Sequence, residues 1–327
     1  MPPKKAQTKF SAAEKPAETG ANPQPVAESK DQAPTSKTTD GAEADVISKK
    51  RKAPALSKPN KAPRRSTRSA DPSAPVDAVK ILQFLLSPSS LDLCRPKDEF
   101  EDLKTRGTEF KTYSTSTFAP FEELACAVIL SRPIGHMLGI RSIRTIFNAP
   151  YEFTTPRKIR EAGNGVCREA LDQARTQHRQ KTAEALVLLA DAVVDRLGYS
   201  EEDVTLERVR KESGHDREIE REMLRKNVTG LGKTGLDIFG RRIQGVWPEF
   251  YPFVDQRTLV AVEKLGLPGS AEELRDMLDE NWEKFEVKDI EAEDEEEKKR
   301  KGLVRILDRA VGADLEGNID AIKSEAA

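Results

Sequence analysis

Two features of this chain have residue types and spacing that could do chemistry. One is the glycine-bounded run Gly230-Leu231-Gly232-Lys233-Thr234; the other is Asp255, which follows it across a turn containing Trp247 and Pro248. Gly230 and Gly232 let the backbone take φ > 0 and come close to a ligand, while Leu231 between them can plug the turn into a core. A helix opening after Gly232 presents free N–H groups, and its unpaired donors and dipole together make phosphate a natural guest. Asp255 stands at the head of DQRTLVAVEKL, where an aspartate serves as a helix cap.

The run GLGKT is not a nucleotide-binding P-loop. That motif needs a glycine where Asn227 stands and a hydrophobic strand where the charged REMLRK stands. His136, His178 and His215 have no partner spacing, and Cys94, Cys126 and Cys167 are odd in number and far apart. Neither a disulfide framework nor a zinc or iron–sulfur site is expected, and no cofactor is implied.

Around these residues the apolar period is helical. VDAVKILQFLLS has apolar residues at Val76, Val79, Leu82, Phe84, Leu85 and Leu86, the spacing of a short buried-face helix; Ser87 to Ser116 is polar and mixed and shows no readable element. FAPFEELACAVILS is nearly apolar, with Glu122 and Glu123 where the dipole of a buried helix favours them. IGHMLGIRSIRTIFN follows, then PRKIREAG, a second piece after Asn164–Gly165, and HRQKTAEALVLLADAVVDRL closed by Gly198. Ser200 and Asp203 form a capping pair for SEEDVTLERVRKES, and HDREIEREMLRK leads into the glycine turn. Beyond Asp255 come DQRTLVAVEKLGL and AEELRDMLDENWEKF. No stretch shows strand alternation, so the fold class is all-α, with nine or ten short helices.

Charge is segregated along the 327 residues. Residues 1–75 hold fifteen Lys/Arg against eight Asp/Glu, residues 270–327 hold ten against nineteen, and the middle is balanced. A pI near 6.1 therefore hides a basic arm and an acidic end. The arm has too few apolar residues to offset its ordering entropy and is expected to be disordered. Its clusters Lys49-Lys50-Arg51-Lys52 and Lys61, Arg64, Arg65 and Arg68 resemble a bipartite nuclear localisation signal, which implies an import receptor as partner and the nucleus as destination. No run of 18 apolar residues occurs, and MPPKKAQTKF has no apolar signal core, so a reducing, soluble compartment without membrane contact is expected. The domain plan that follows is a basic arm over 1–75, a helical domain over 76–285 and an acidic tail over 286–327, whose last helix, GLVRILDRAVG, either docks or stays free.

Four passages in order, PFEELACAVILS, HRQKTAEALVLLA, VTGLGKTGLDIF and PFVDQRTLVAVEKLGLP, resemble the helix-hairpin-helix DNA glycosylase superfamily, which includes the endonuclease III-like and adenine-mismatch enzymes. The hairpin Thr229 to Thr234 matches the family's Leu-Pro-Gly-Val-Gly signature with Thr229 in place of proline, and PFVDQRTLVAVEKLGL matches the passage that bears its catalytic aspartate. The resemblance runs from Phe118 to Pro268 and is carried by the hairpin and aspartate passages together.

What the resemblance implies is a monomeric, double-stranded-DNA-binding protein of base excision repair that releases a damaged or mismatched base. Backbone N–H groups around Gly230, Leu231, Gly232 and Thr234 would hold a DNA phosphate, and Lys226, Lys233, Arg241 and Arg242 would add charge that weakens with salt. Asp255 would stabilise the cationic sugar formed as the N-glycosidic bond breaks, and Trp247 and Tyr251, read from sequence as core aromatics, would otherwise line a base pocket. Three departures sharpen the expectation. Thr234 occupies the position where strand-cleaving members carry a lysine nucleophile, and Lys233, one residue early, is rotated by about 100° around the helix, so no lyase activity is expected. Ser131-Arg132-Pro133-Ile134 replaces the Ser-Gln-Gln-Thr-like passage beside the displaced base. The iron–sulfur loop is absent, since no cysteine lies beyond Cys167.

Overall fold

The computed structural model describes residues 77–107 and 109–327, and among these every regular element is helical. The basic arm and both of its clusters lie outside the described residues. No helix among the described residues is long and apolar enough to cross a membrane.

Helix α1 (Ala78–Leu86) is capped by Asp77, whose carboxylate accepts the Val79 N–H at 2.9 Å, and it buries Ile81, Leu82, Leu85 and Leu86. The polar stretch after it, unreadable in the sequence, contains α2 (Leu91–Cys94) and α3 (Lys97–Arg106). Helix α3 lacks an apolar period because its inward face is ionic. Glu99 is fully buried, and Arg144 reaches Asp98 at 2.9 Å and Asp102 at 3.0 Å.

Helix α4 (Pro120–Leu130) is the centre of the first apolar core, with Phe121 to Ile129 all buried. Glu122 Oε2 accepts the Ala119 N–H at 3.0 Å and satisfies one of the free donors at the helix start. Around it lie α5 (His136–Phe147), α6 (Pro156–Gln173) and α7 (Arg179–Asp191). The two helices expected on either side of Asn164 form one element broken at Gly163, whose φ of 60° and ψ of −175° leave the helical region. After α7 the chain loosens into a π-helical turn, Ala192–Arg196.

The next helix starts later than its capping pair suggests. Asp203 accepts from both the N–H and the hydroxyl of Thr205, at 2.7 and 2.8 Å, and this local turn competes with helix formation. Helix α8 therefore begins only at Glu207 and runs to Ser213. Asp216 caps α9 (Arg217–Asn227) through the N–H groups of Glu218 and Ile219, and α10 (Lys233–Ile243) follows the glycine turn. A 3-10 turn, Pro248–Phe250, leads to α11 (Gln256–Leu265) and then α12 (Ala271–Asn281).

The proposed acidic tail is not an appendage. Helix α13 (Glu295–Glu316) buries Leu303, Ile306, Leu307 and Ala310, and with α1, α11, α12 and α14 (Ile319–Ala326) it builds a second apolar core. The boundary expected at residue 286 therefore falls inside a packed unit, because the charged first turns of α13 mask the apolar face that follows. Where α13 crosses α2, a Cβ added at Gly312 would lie 2.1 Å from the Cys94 carbonyl oxygen, so only glycine lets these backbones approach.

Candidate functional site

The turn between α9 and α10 is built as its sequence implies. Gly230 takes φ of +83°, Leu231 is buried in the first core, and the Leu231 N–H donates to the Val228 carbonyl at 3.2 Å. Arg196, from the π-helical turn, donates to the Asn227 carbonyl at 2.8 Å and to Thr229 Oγ1 at 3.0 Å, so it holds the outer side of the turn. Gly232 supplies no side-chain cap to α10. The N–H groups of its first turn, at Lys233, Thr234 and Gly235, therefore have no carbonyl upstream in the helix to pair with.

Asp255 caps α11. Its Oδ1 accepts the Arg257 and Thr258 N–H groups, each at 3.1 Å, and its Oδ2 accepts the Thr258 hydroxyl at 2.6 Å and Arg241 Nη1 at 3.0 Å. Burial pushes this carboxyl upward, but the Arg241 charge and the Thr258 hydrogen bonds outweigh it and hold Asp255 below the usual carboxylate range. It is anionic at neutral pH.

Lys233, Thr234 and Asp255 share the wall of one cavity of about 870 Å³, together with Tyr113, Arg132 and His136. The volume lies in the range of a small-molecule pocket. Arg132, from the departing passage Ser131 to Ile134, stands against the hairpin: a Cβ on Gly230 would lie 3.2 Å from its guanidinium. That passage therefore sits beside the glycine turn and lines the same cavity.

Two residues expected at a DNA surface are held in internal ion pairs. Arg241 is buried and pairs with Asp308 as well as Asp255, each at 3.0 Å. The Arg242 side chain is 8 % exposed, donating to Glu123 at 2.9 Å and to Asp308 at 2.5 Å while stacking over the Tyr113 ring. Both charges are paired with carboxylates inside the molecule, and Arg241 also borders the cavity. Of the expected cations, Lys226 and Lys233 are on the surface; Lys226 lies 3.4 Å from Glu222, and Lys233 Nζ is 2.6 Å from Asp237, one helical turn on. Trp247 packs with Phe239 and Phe250 in the core and does not line the cavity, and Tyr251 is packed against the second core.

The residues that complete the site, Tyr113, His136 and Asp308, carry no local signal in the sequence. Asp308 comes from α13, inside the stretch that reads as tail. Tyr113 is raised in pKa by burial and then by the Asp308 charge, so it stays a neutral phenol beside Arg241. Three carboxylates, Asp255, Asp308 and Glu123, thus face two guanidiniums, while the cavity lining as a whole carries Arg132, Lys233, Arg257 and Lys264 as well. No protein-family model, curated protein or solved structure matches this chain.

Proposed function

We propose that the protein binds duplex DNA through the hairpin Val228 to Thr234 and hydrolyses the N-glycosidic bond of a damaged or mismatched base taken into the cavity. The observation that carries this reading is that Asp255 and the open end of α10 line one cavity. A base must leave the stack before its glycosidic bond is accessible, and a damaged or mismatched base leaves most easily. The free N–H groups of α10 would hold a backbone phosphate at the rim, fixing position without reading sequence. Asp255, ionised, would stabilise the sugar cation and orient the attacking water. With Thr234 at the lysine position, the reaction would end at an abasic site.

A second reading is favoured by one observation: all the donors that reach Asp255, two backbone N–H groups, a hydroxyl and a guanidinium, already engage it. On that reading Asp255 is a cap and an ion-pair partner, and the chain is a non-catalytic DNA-binding relative of the glycosylases. Duplexes each carrying one damaged or mismatched base, incubated with the purified full chain and with Asp255→Asn, separate the two. The enzyme reading expects free base, slowed about 100-fold or more in the variant. Tight binding without release from any duplex supports the second reading, and absence of duplex binding sinks both. Binding itself should weaken with salt, and Lys233→Ala should lower the slope of log affinity against log salt by about 1. The same reading sends the chain to the nucleus through its two basic clusters; a reporter fused to residues 1–75 that stays cytoplasmic would exclude that.

A further inference from the structure

Outside the cavity lining, His215, Glu220 and Glu249 bring one ligand atom each to within 4.8 Å of one another. None of the three lines the cavity that holds Asp255. They come from three segments: His215 from the turn between α8 and α9, Glu220 from the first turns of α9, and Glu249 from the 3-10 turn that leads to α11.

Glu220 is the informative member. Its residue is fully buried; Oε1 accepts the Ser213 hydroxyl at 3.1 Å, while Oε2 is shielded from solvent and has no hydrogen-bond partner among the described residues. A buried carboxylate oxygen without a donor is costly, and its neighbours in the cluster are an imidazole and a second carboxylate. Glu249, itself almost buried, is gripped by Arg210 at 2.6 Å through Oε1 and 3.0 Å through Oε2. One guanidinium thus faces two carboxylates, which lie close enough to share a proton in the metal-free chain.

The spacing tells what kind of cation fits. His215 Nδ1 lies 3.6 Å from Glu249 Oε1, too far for a hydrogen bond. Ligands about 2.1 Å from a tetrahedral zinc ion lie roughly 3.4 Å from one another, so the separation is that of two corners of a coordination shell. Imidazole with carboxylates matches a borderline divalent transition metal better than magnesium or calcium, which prefer oxygen alone. The His215 side chain is about half exposed, which leaves the fourth corner to water.

We propose that His215, Glu220 and Glu249 form a binding site for a divalent transition-metal cation of the zinc class, which cross-links the turn before α9 to the turn before α11. The ion would neutralise the orphaned oxygen of Glu220 and tie the hairpin helix to the segment that delivers Asp255. The proposal does not depend on the DNA reading.

Equilibrium dialysis of the metal-free full chain against Zn²⁺, with Mg²⁺ as competitor, tests it. The expected result is one Zn²⁺ per chain, not displaced by equal Mg²⁺, with a melting temperature that rises with free Zn²⁺. Glu220→Gln and His215→Gly should each weaken binding at least 10-fold. The second variant removes an exposed side chain, and glycine takes the +60° φ of position 215 without strain, so its metal-free melting temperature should match that of the parent chain. Zinc bound equally well by both variants would put the ion elsewhere and overturn the proposal. Absence of binding at millimolar Zn²⁺ would also overturn it and leave the two carboxylates sharing a proton.

Discussion

Arg241 Nη1 stands 3.0 Å from Asp255 Oδ2, and the same guanidinium reaches Asp308 Oδ1 through Nε at 3.0 Å. One buried side chain of α10 therefore ties the capping residue of α11 to the middle of α13, joining the hairpin helix to both halves of the second core. Removing it would leave two carboxylates buried beside each other without their shared counter-charge. Arg241→Met should cost about 3–5 kcal/mol in urea unfolding, the usual penalty for stranding half of a buried pair. Asp255→Asn should cost less, because asparagine still caps a helix and leaves Arg241 paired with Asp308. Equal stability of Arg241→Met and the parent chain would show that the pairing contributes nothing.

The difference between what the sequence made legible and what it hid follows from where each signal is stored. Helices α4, α7 and α11 are legible because their apolar residues recur at helical spacing, and the glycine turn and the Asp255 cap because their signals lie within a few residues. Helix α3 was hidden because Arg144, from a distant helix, holds its inner face through Asp98 and Asp102. The second half of α13 is legible as GLVRILDRAVG, but its docking and its charged first turns were not, because Glu295 to Lys301 precede Leu303, Ile306 and Leu307 and dominate the local reading. Arg241 and Arg242 beside a phosphate-type turn resemble a surface patch; only the fold, by bringing Glu123 and Asp308 to them, makes them internal. Local chemistry fixed the hairpin and the cap, whereas the cavity wall depends on contacts between residues far apart in the chain.

The crossing of α13 over α2 gives a direct test of the corrected domain boundary. Since a Cβ at Gly312 would strike the Cys94 carbonyl, which is backbone and cannot rotate away, Gly312→Ala should destabilise the chain by about 1–3 kcal/mol through overpacking. Gly317, with φ of +74° and open space where a Cβ would stand, should cost about 1 kcal/mol as alanine, from backbone strain alone. Were residues 286–327 a free tail, Gly312→Ala would be silent in thermal and urea unfolding.

His136 on the cavity wall makes stability depend on pH in a defined window. Burial, followed by the charges of Arg241 and Arg257, depresses its imidazole to about 4. Glu316 Oε1, at 3.8 Å from Nε2, is too far to hydrogen-bond and does not reverse this; burial raises its own carboxyl. The unfolded imidazole titrates near 6.5, so between these values the unfolded chain binds a proton that the folded chain refuses. Stability carried by this residue is therefore fully present above pH 6.5 and is lost as pH falls towards 4, by an amount on the order of 3 kcal/mol. His136→Gln should flatten that slope, read as a smaller drop in melting temperature between pH 7 and pH 5. An unchanged slope would assign the acid sensitivity to other groups.

The last prediction concerns Thr234, the residue that on the proposed reading separates this chain from strand-cleaving glycosylases. Thr234 lines the cavity in the first turn of α10, with Asp255 on the same wall. Its neighbour Lys233 also borders the cavity and carries the only amine in the glycine turn, but it is rotated by about 100° from Thr234 around the helix. Asp237 holds its Nζ at 2.6 Å, as Asp314 holds that of Lys264 on the same lining at 2.6 Å. An abasic-site aldehyde seated in the cavity therefore meets no free amine from the hairpin, and borohydride trapping of the parent chain on duplex DNA with a preformed abasic site should give no covalent adduct. Thr234→Lys should supply the amine. Lysine at this exposed first-turn position is a good helix former, so the fold should survive, and the side chain reaches the space that Asp255 borders. A trapped adduct in Thr234→Lys, absent from the parent chain and from Thr234→Gln, would show that an abasic sugar enters the cavity whether or not the protein releases bases itself. An adduct already present in the parent chain, lost in Lys233→Gln, would mean that the Asp237 tether is broken by DNA and that the rotation around α10 does not keep the lysine away.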